Sequence, residues 1–299
     1  MKTHVIVGRG ATATKTALLL AGDGERVRMI SRTGGGPEHP LVERIAADAT
    51  DTDRLTGLTE GADTLFTTAA PPYHLWPEQF PALSASLLGA VRRTGAAYVM
   101  LGNLYAYGPV AGTLTPDLPL AATGPKGRAR ARVWEEAAEA AASGVRVTEV
   151  RAGQFYGAGA YSVFSLMVQG QVLGGRPVLV PQPLDVPHSY SAIGDTARTL
   201  VAASREERAY GRAWHAPTAT LSLRELATRL ATLAGAPEPR LAEMTEREIS
   251  LLALSEPFWA EMHEVLLKPG HPFVVDYSET EKVLGATATA VDEVLREVV

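Results

Sequence analysis

Thr3-His4-Val5-Ile6-Val7-Gly8-Arg9-Gly10-Ala11-Thr12-Ala13-Thr14-Lys15-Thr16-Ala17-Leu18-Leu19-Leu20-Ala21, then Val27-Arg28-Met29-Ile30-Ser31-Arg32, is the stretch that decides the fold. A β-branched run enters a glycine turn without a spacer, Lys15 to Ala21 reads as a helix, and a second strand follows. Gly8 can take the tight turn, and Gly10 removes a side chain where a pyrophosphate must approach the backbone. Ala13 is small enough for the helix to pack on the sheet. Free N–H groups and the positive end of the helix dipole favour an anion there. Gly8, Arg9, Gly10, Ala11, Thr12 and Ala13 are therefore the expected cradle of a dinucleotide.

The end of the second strand indicates which dinucleotide. A carboxylate about 20 residues past the glycines would bind a ribose 2′-hydroxyl and repel a 2′-phosphate. This chain carries Ser31-Arg32 there, with Arg9 inside the turn. Two guanidiniums and a hydroxyl suit a phosphate, because arginine donates paired hydrogen bonds to it. NADP(H) is thus expected ahead of NAD(H); the alternative is that both arginines are solvated surface groups.

Composition narrows the class. The chain has 299 residues and 46% hydrophobic content, enough for a sizeable core in a folded protein. With 28 basic and 33 acidic residues, a net charge of −5 and no long basic run, nucleic acid is not an expected partner. The absence of cysteine removes disulfides and thiol nucleophiles. The first strand begins at once, with no charged-then-apolar leader, and no apolar stretch approaches a membrane span. A soluble cytoplasmic protein with a small-molecule substrate, no metal and no membrane partner is expected. The oligomeric state stays open, a homodimer being one option.

Further along, strands and helices alternate. Val42 to Ala47 reads as a third strand leading to Asp48-Ala49, a loop able to edge an adenine. Thr64 to Ala70 reads as a buried strand halted by Pro71-Pro72, and small Ala69 and Ala70 leave room for a cofactor. A helix over Phe80–Thr94, a strand over Tyr98–Leu101, a helix over Lys126–Ser143 and a strand over Val145–Val150 follow. This alternation implies an α/β fold with a doubly wound parallel sheet, whose ligand crevice lies beyond the strand C-termini. Past Gly157 the alternation fails. Residues 1–155 are expected to form the dinucleotide-binding Rossmann-type domain. Residues 156–299 are expected to form mainly a smaller, interleaved substrate-binding region, with a segment near 185–220 returning to the sheet. Glu246 to Val265 reads as one helical segment.

The helix that starts near Lys126 has an inverted charge order: Lys126, Arg128, Arg130 and Arg132 come first, and Glu135, Glu136 and Glu139 later. The helix dipole disfavours this by a few tenths of a kcal/mol per charge, so something must favour the cations. The options are an anion at the site and pairing such as Arg132 with Glu136. Lys126 and Arg130, four apart, share a face distinct from that of Arg128 and Arg132.

With these residues placed, the chain resembles the short-chain dehydrogenase/reductase superfamily, in the extended and atypical branch grouped with NAD-dependent epimerases/dehydratases. The resemblance rests on the glycine turn at Gly8, Asp48-Ala49-Thr50-Asp51, Gly61-Ala62-Asp63, Ala69 before the prolines, Tyr107-Gly108-Pro109, and Arg151-Ala152-Gly153 followed by Tyr156-Gly157. Members usually act through a serine or threonine, a tyrosine and a lysine, the last two four apart on a helix. The resemblance places Asn103 at the serine position, Lys126 at the tyrosine and Arg130 at the lysine, so all three have changed type. It implies that Arg130 holds the nicotinamide ribose, while the missing phenol prevents a direct transfer of the mechanism. Lys126 and Tyr105 are then the candidate proton donors, Tyr105 being able to act as acid or base only if nearby cations lower its pKa. Gly153 and Phe155 are expected at the cofactor, and Tyr73, His74, Tyr107, Gln154, His188 and Tyr190 at the substrate. Three functions are compatible with this: an NADP(H)-dependent reductase, dehydrogenase or epimerase of a small metabolite; a same-fold enzyme of non-redox chemistry with the dinucleotide as a fixture; and an NADP(H)-sensing regulator without turnover.

Overall fold

The computed structural model describes residues 1–265 and 271–299. Strands β1 (Thr3–Val7), β2 (Arg26–Ser31), β3 (Val42–Ala46), β4 (Thr64–Thr67), β5 (Ala97–Asn103) and β6 (Val147–Ala152) alternate with helices α1 (Ala11–Gly22), α2 (Thr52–Thr59), α3 (Trp76–Thr94) and α4 (Pro125–Ala142). A later strand, β10 (Ala213–His215), joins them, giving a seven-stranded sheet in the order β10-β6-β5-β4-β1-β2-β3 with every pairing parallel. Order reverses between β1 and β4, which opens a crevice at the carboxyl ends of those strands.

The β1 side chains show why this stretch could only be a central strand. Val5 and Val7 face the core built by α2, α3 and α4, and Ile6 faces the core built by α1 and α6 (Ile193–Arg205). All three are almost completely buried, as a strand covered by helices on both faces requires. Helix α3 begins at Trp76, earlier than the apolar pattern indicates. Pro77 fits its first turn, where N–H groups lack intrahelical partners anyway, and Pro81 forfeits only one helical bond.

Beyond β6 the chain builds the annex. Strands β7 (Gln154–Tyr156), β9 (His188–Ala192) and β11 (Ala219–Leu221) form one small sheet, and β8 (Val178–Val180) with β12 (Leu241–Glu243) another. A π-helical turn over Phe164–Gln169, α5 (Gly170–Leu173), α7 (Leu223–Ala234) and α11 (Val291–Arg296) pack on them, and α10 (Ser278–Leu284) lies against β10. Ser222 and Glu225 close a reciprocal capping box on α7, as the S-x-x-E pattern implies. The single helix read over Glu246–Val265 is two, α8 (Glu246–Ala253) and α9 (Pro257–Val265). Pro257 disfavours helical backbone in the residue before it and suits the start of a new helix. The break turns α9 back over the crevice, against residues 73–75. Among the described residues no helix is long and apolar enough to cross a membrane.

Candidate active site

At the dinucleotide end, Gly8 has φ +131°, and a Cβ there would collide with Thr68 Oγ1 and lie 3.2 Å from Ala69 N. Glycine is needed for the turn to pass this close to the end of β4. Gly10 is different: its φ and ψ are −70° and 179°, and a Cβ would meet nothing within 4 Å. The space in front of α1 is thus open. No side chain caps this helix and its first turn has no acidic residue, while Thr67 and Thr68 Oγ1 are buried nearby without partners. Unsatisfied N–H and hydroxyl groups around an open approach fit a pyrophosphate.

The rim carries the expected residues. Arg9 and Arg32 are exposed, and Arg9 packs along Gly35 while Ser31 Oγ accepts from Gly35 N at 3.0 Å. Asp48 is committed to its own turn: it accepts from Thr50 N at 2.9 Å and Thr50 Oγ1 at 2.8 Å, bonds that hold its carboxyl below the usual range. Ala49, Ala69 and Ala70 retain partial or full exposure at the strand ends.

At the other end of the crevice, Asn103 ends β5 and its Oδ1 accepts from Tyr105 N at 3.1 Å, fixing the turn that carries Tyr105. The phenol oxygens of Tyr105 and Tyr73 lie 2.9 Å apart. Burial drives the Tyr105 hydroxyl well above its ordinary pKa, Tyr73 adds to this, and Arg130 opposes it too weakly. The condition under which Tyr105 could act as acid or base, cations lowering its pKa, is therefore not met. Desolvation outweighs the charge, so the Tyr105 hydroxyl stays protonated at neutral pH and offers a hydrogen bond instead of a proton. Arg130 stacks over Trp76 and Phe80, 4.7 and 4.5 Å from the ring centres, and its buried Nε has no partner.

Lys126 stands at the start of α4, only 2% exposed, and is paired with Glu261 and Glu264 of α9. Glu264 Oε1 also accepts from Lys126 N at 2.8 Å and Gly127 N at 3.0 Å, and its Oε2 lies 3.4 Å from Lys126 Nζ. This carboxylate caps α4, whose N-cap Gly124 has no side chain and would collide with Glu264 if it had a Cβ. The inverted charge order of α4 is thereby explained twice. Lys126 has its anions on α9, and exposed Arg132 pairs with Glu136 at 2.8 Å.

Behind this layer runs a buried network. Glu149 Oε2 accepts from Arg151 Nε at 2.6 Å, and Arg151 Nη1 donates to the Tyr107 oxygen at 2.6 Å. Tyr107 O–H lies 2.8 Å from His215 Nε2, and His215 Nδ1 lies 2.8 Å from the Asp276 carbonyl. A carbonyl only accepts, so Nδ1 carries the proton of the neutral ring and Tyr107 donates to Nε2. Tyr107, expected at the substrate, is instead fully buried with its hydroxyl engaged in this chain. Burial lowers His215 to about 4.

The annex brings Gln154, His188 and Tyr190 together, but Tyr190, expected at the substrate, is fully buried in the annex core. Gln154 Nε2 donates to Gln182 Oε1 at 3.2 Å, Gln182 Nε2 donates to Tyr190 at 3.4 Å, and Gln154 Oε1 is left free. His188 stacks on Phe273 at 5.0 Å with neither ring nitrogen bonded, and burial pushes it down to about 3. Gly153 N donates to Ser191 Oγ at 3.0 Å, Phe155 packs at the edge of the α1–α6 core, and His74 is exposed. Sequence reasoning missed Glu149, Gln182, His215, Glu261 and Glu264. The one available signal was the unbalanced cations of α4, which required anions without locating them.

Sheet order, glycine turn and crevice define an α/β enzyme of the short-chain dehydrogenase/reductase type that uses a nicotinamide dinucleotide. The chain belongs to the NAD-dependent epimerase/dehydratase family, whose profile matches residues 5–215. It is similar in fold to UDP-glucuronic acid 4-epimerase from Bacillus cereus in complex with NAD (TM-score 0.80, 16% identity, 99% of this chain and 98% of that one). It is also similar to dTDP-glucose 4,6-dehydratase from Bacillus anthracis in complex with NAD (TM-score 0.80, 11% identity, 99% and 96%). A third similar fold is MoeE5 in complex with UDP-glucose and NAD (TM-score 0.78, 19% identity, 99% and 97%). A search of curated proteins by sequence finds no match.

Proposed function

We propose that the protein is an NADP(H)-dependent oxidoreductase or epimerase of a small carbonyl or hydroxyl metabolite, with Lys126 as its proton donor and the Tyr105 hydroxyl as a hydrogen-bond donor beside it. The observation that carries this reading is the buried Lys126 at the family's tyrosine position, close to Tyr105: a Cβ on the adjacent Gly127 would lie 2.7 Å from the Tyr105 carbonyl oxygen. Residues 1–155 serve the dinucleotide and 156–299 mainly the substrate, the segment near 185–220 returning to the sheet. When bound, the dinucleotide supplies or accepts hydride at C4 of its nicotinamide.

The chain's own residues do the rest. Gly8, Gly10, Ala11, Thr12 and Ala13 bind the pyrophosphate, Ala69 and Ala70 leave room along it, and Ala49 with the Asp48 turn flanks the adenine. Arg9, Ser31 and Arg32 hold a 2′-phosphate, while Gly153 and Phe155 wall the nicotinamide side. Arg130, whose Nε lacks a partner, holds the ribose. Asn103 orients the substrate oxygen through the part of its amide not engaged with Tyr105 N. Tyr73, His74, Gln154 and His188 border the substrate; the free Gln154 Oε1 supports this, since a buried unpaired acceptor calls for a donor.

The test is NADPH deuterated at C4, incubated with small aldehydes, ketones and nucleotide-linked ketosugars. Label should appear in a product. Tyr105→Phe and Lys126→Ala should each lower turnover at least about 100-fold, the lower end of general acid–base effects, with NADPH affinity nearly unchanged. Product formation without label movement, and without internal return of hydride, would replace this reading with non-redox chemistry.

A further inference from the structure

Helix α9 contributes something that neither the glycine turn nor the altered triad provides. Its two carboxylates meet an ammonium at the position where proton transfer is placed, and the three groups differ sharply in access to water. Lys126 is 2% exposed, whereas the side chains of Glu261 and Glu264 are 20% and 21% exposed. The two carboxylates also differ in their commitments. Glu264 is tied to two backbone N–H groups of α4 as well as to Nζ, while Glu261 is paired with Nζ through its carboxylate.

We infer that Lys126 and Glu261 form a proton relay between water and the substrate oxygen, with Glu264 as the positioning residue that fastens α9 to α4. This rests on the reading that Lys126 serves the reaction. In the reducing direction, for which a bound dinucleotide would supply the hydride taken up by the substrate carbonyl carbon, an Nζ–H bond of Lys126 breaks and an O–H bond forms on the substrate. The resulting amine regains a proton that the Glu261 carboxylate takes from water and passes on. Ammonium and carboxylate are thereby restored, and the net change is transfer of one hydride and one solvent proton to the substrate. A lysine sealed from water needs such a path, because its own access is closed while its carboxylate partner keeps one side in solvent. Glu264 does not serve equally well. Its Oε1 is held by Lys126 N and Gly127 N, so protonating it would weaken the cap on α4.

The relay is testable without knowing the substrate, through the rate at which the Lys126 ammonium protons exchange with water. Full-length protein labelled with 15N at lysine Nζ gives a signal assigned to Lys126 by its disappearance in Lys126→Met. In Glu261→Gln this exchange should slow at least about 10-fold, below the usual span of general acid–base effects. In Glu261→Asp, which keeps a carboxylate, it should stay near the wild-type rate. Unchanged or faster exchange in Glu261→Gln would overturn the relay, the second outcome meaning that Glu261 only shields the ammonium. The two claims fail separately. Slowed exchange with full turnover in Lys126→Ala would leave the relay standing and remove its catalytic use, whereas lost turnover with unaffected exchange would remove the relay alone.

Discussion

Gly10→Val separates folding from cofactor binding, because the space its side chain would enter is open in the folded chain. Its backbone, at φ −70° and ψ 179°, is allowed to any residue, and a Cβ meets nothing within 4 Å. Replacing glycine at a compatible position gains about 0.4–1 kcal/mol through the unfolded state. Valine is a poorer N-cap, which offsets a similar amount. Stability without cofactor should therefore change by less than about 1 kcal/mol, or a few degrees in Tm. Binding should behave very differently. A branched side chain here keeps a pyrophosphate from the first N–H groups of α1, and losing two hydrogen bonds to a charged group at about 1.5–3 kcal/mol each costs about 3–6 kcal/mol. That exceeds a 100-fold loss of affinity. Gly8→Ala is the contrasting variant: its φ of +131° costs about 1–3 kcal/mol for a residue with a side chain, and the Cβ collides with Thr68. It should lower Tm even without cofactor. Thermal denaturation and fluorescence titration with NADPH read both effects, and wild-type affinity in a well-folded Gly10→Val would refute the placement of the pyrophosphate.

Arg9→Ala with Arg32→Ala should erase a preference for NADPH over NADH, measured by the same titration; equal affinities for the two cofactors in the wild type would end the claim of a 2′-phosphate site. Glu149→Ala should destabilise the fold by about 3 kcal/mol, the low end for breaking a buried ion pair, because Arg151 keeps its bond to Tyr107. Urea denaturation showing a loss below about 1 kcal/mol would contradict this. His188 and His215 stay neutral in the fold down to about pH 3 and 4, whereas unfolded histidines charge near 6.5. Their folded pKa values are lowered, so stability is complete above about pH 6.5. It drains below that, by up to about 1.4 kcal/mol per pH unit for each histidine. His188→Phe should flatten this acid limb between pH 6.5 and 4, and an unchanged slope in urea titrations would show that His188 does not contribute.

The local signals were all present in the chain. β-branched runs, the glycine turn, alternating strands and helices and the Ser222–Glu225 box act over a few residues, so their outcome is readable in order along the sequence. The shared face of Lys126 and Arg130 was readable for the same reason: helical period alone puts them together, one buried and one half-buried, with Arg128 exposed and Arg132 exposed. Tertiary structure alone decided the environments. Lys126 finds Glu264 138 residues away because the chain breaks between α8 and α9 and brings α9 against the start of α4. Tyr105 was readable as a phenol near cations, but the direction of its pKa depends on how completely Tyr73 and its surroundings exclude water. Tyr107 and His188 carried the same expectation in sequence, as rings at the substrate. One is tied into a buried chain by Arg151 and His215, and the other is stacked on Phe273 with both nitrogens unpaired. Desolvation and long-range pairing are sums over neighbours that only the folded chain assembles, so the sequence specified the scaffold and the candidate groups, and packing specified what each group can do.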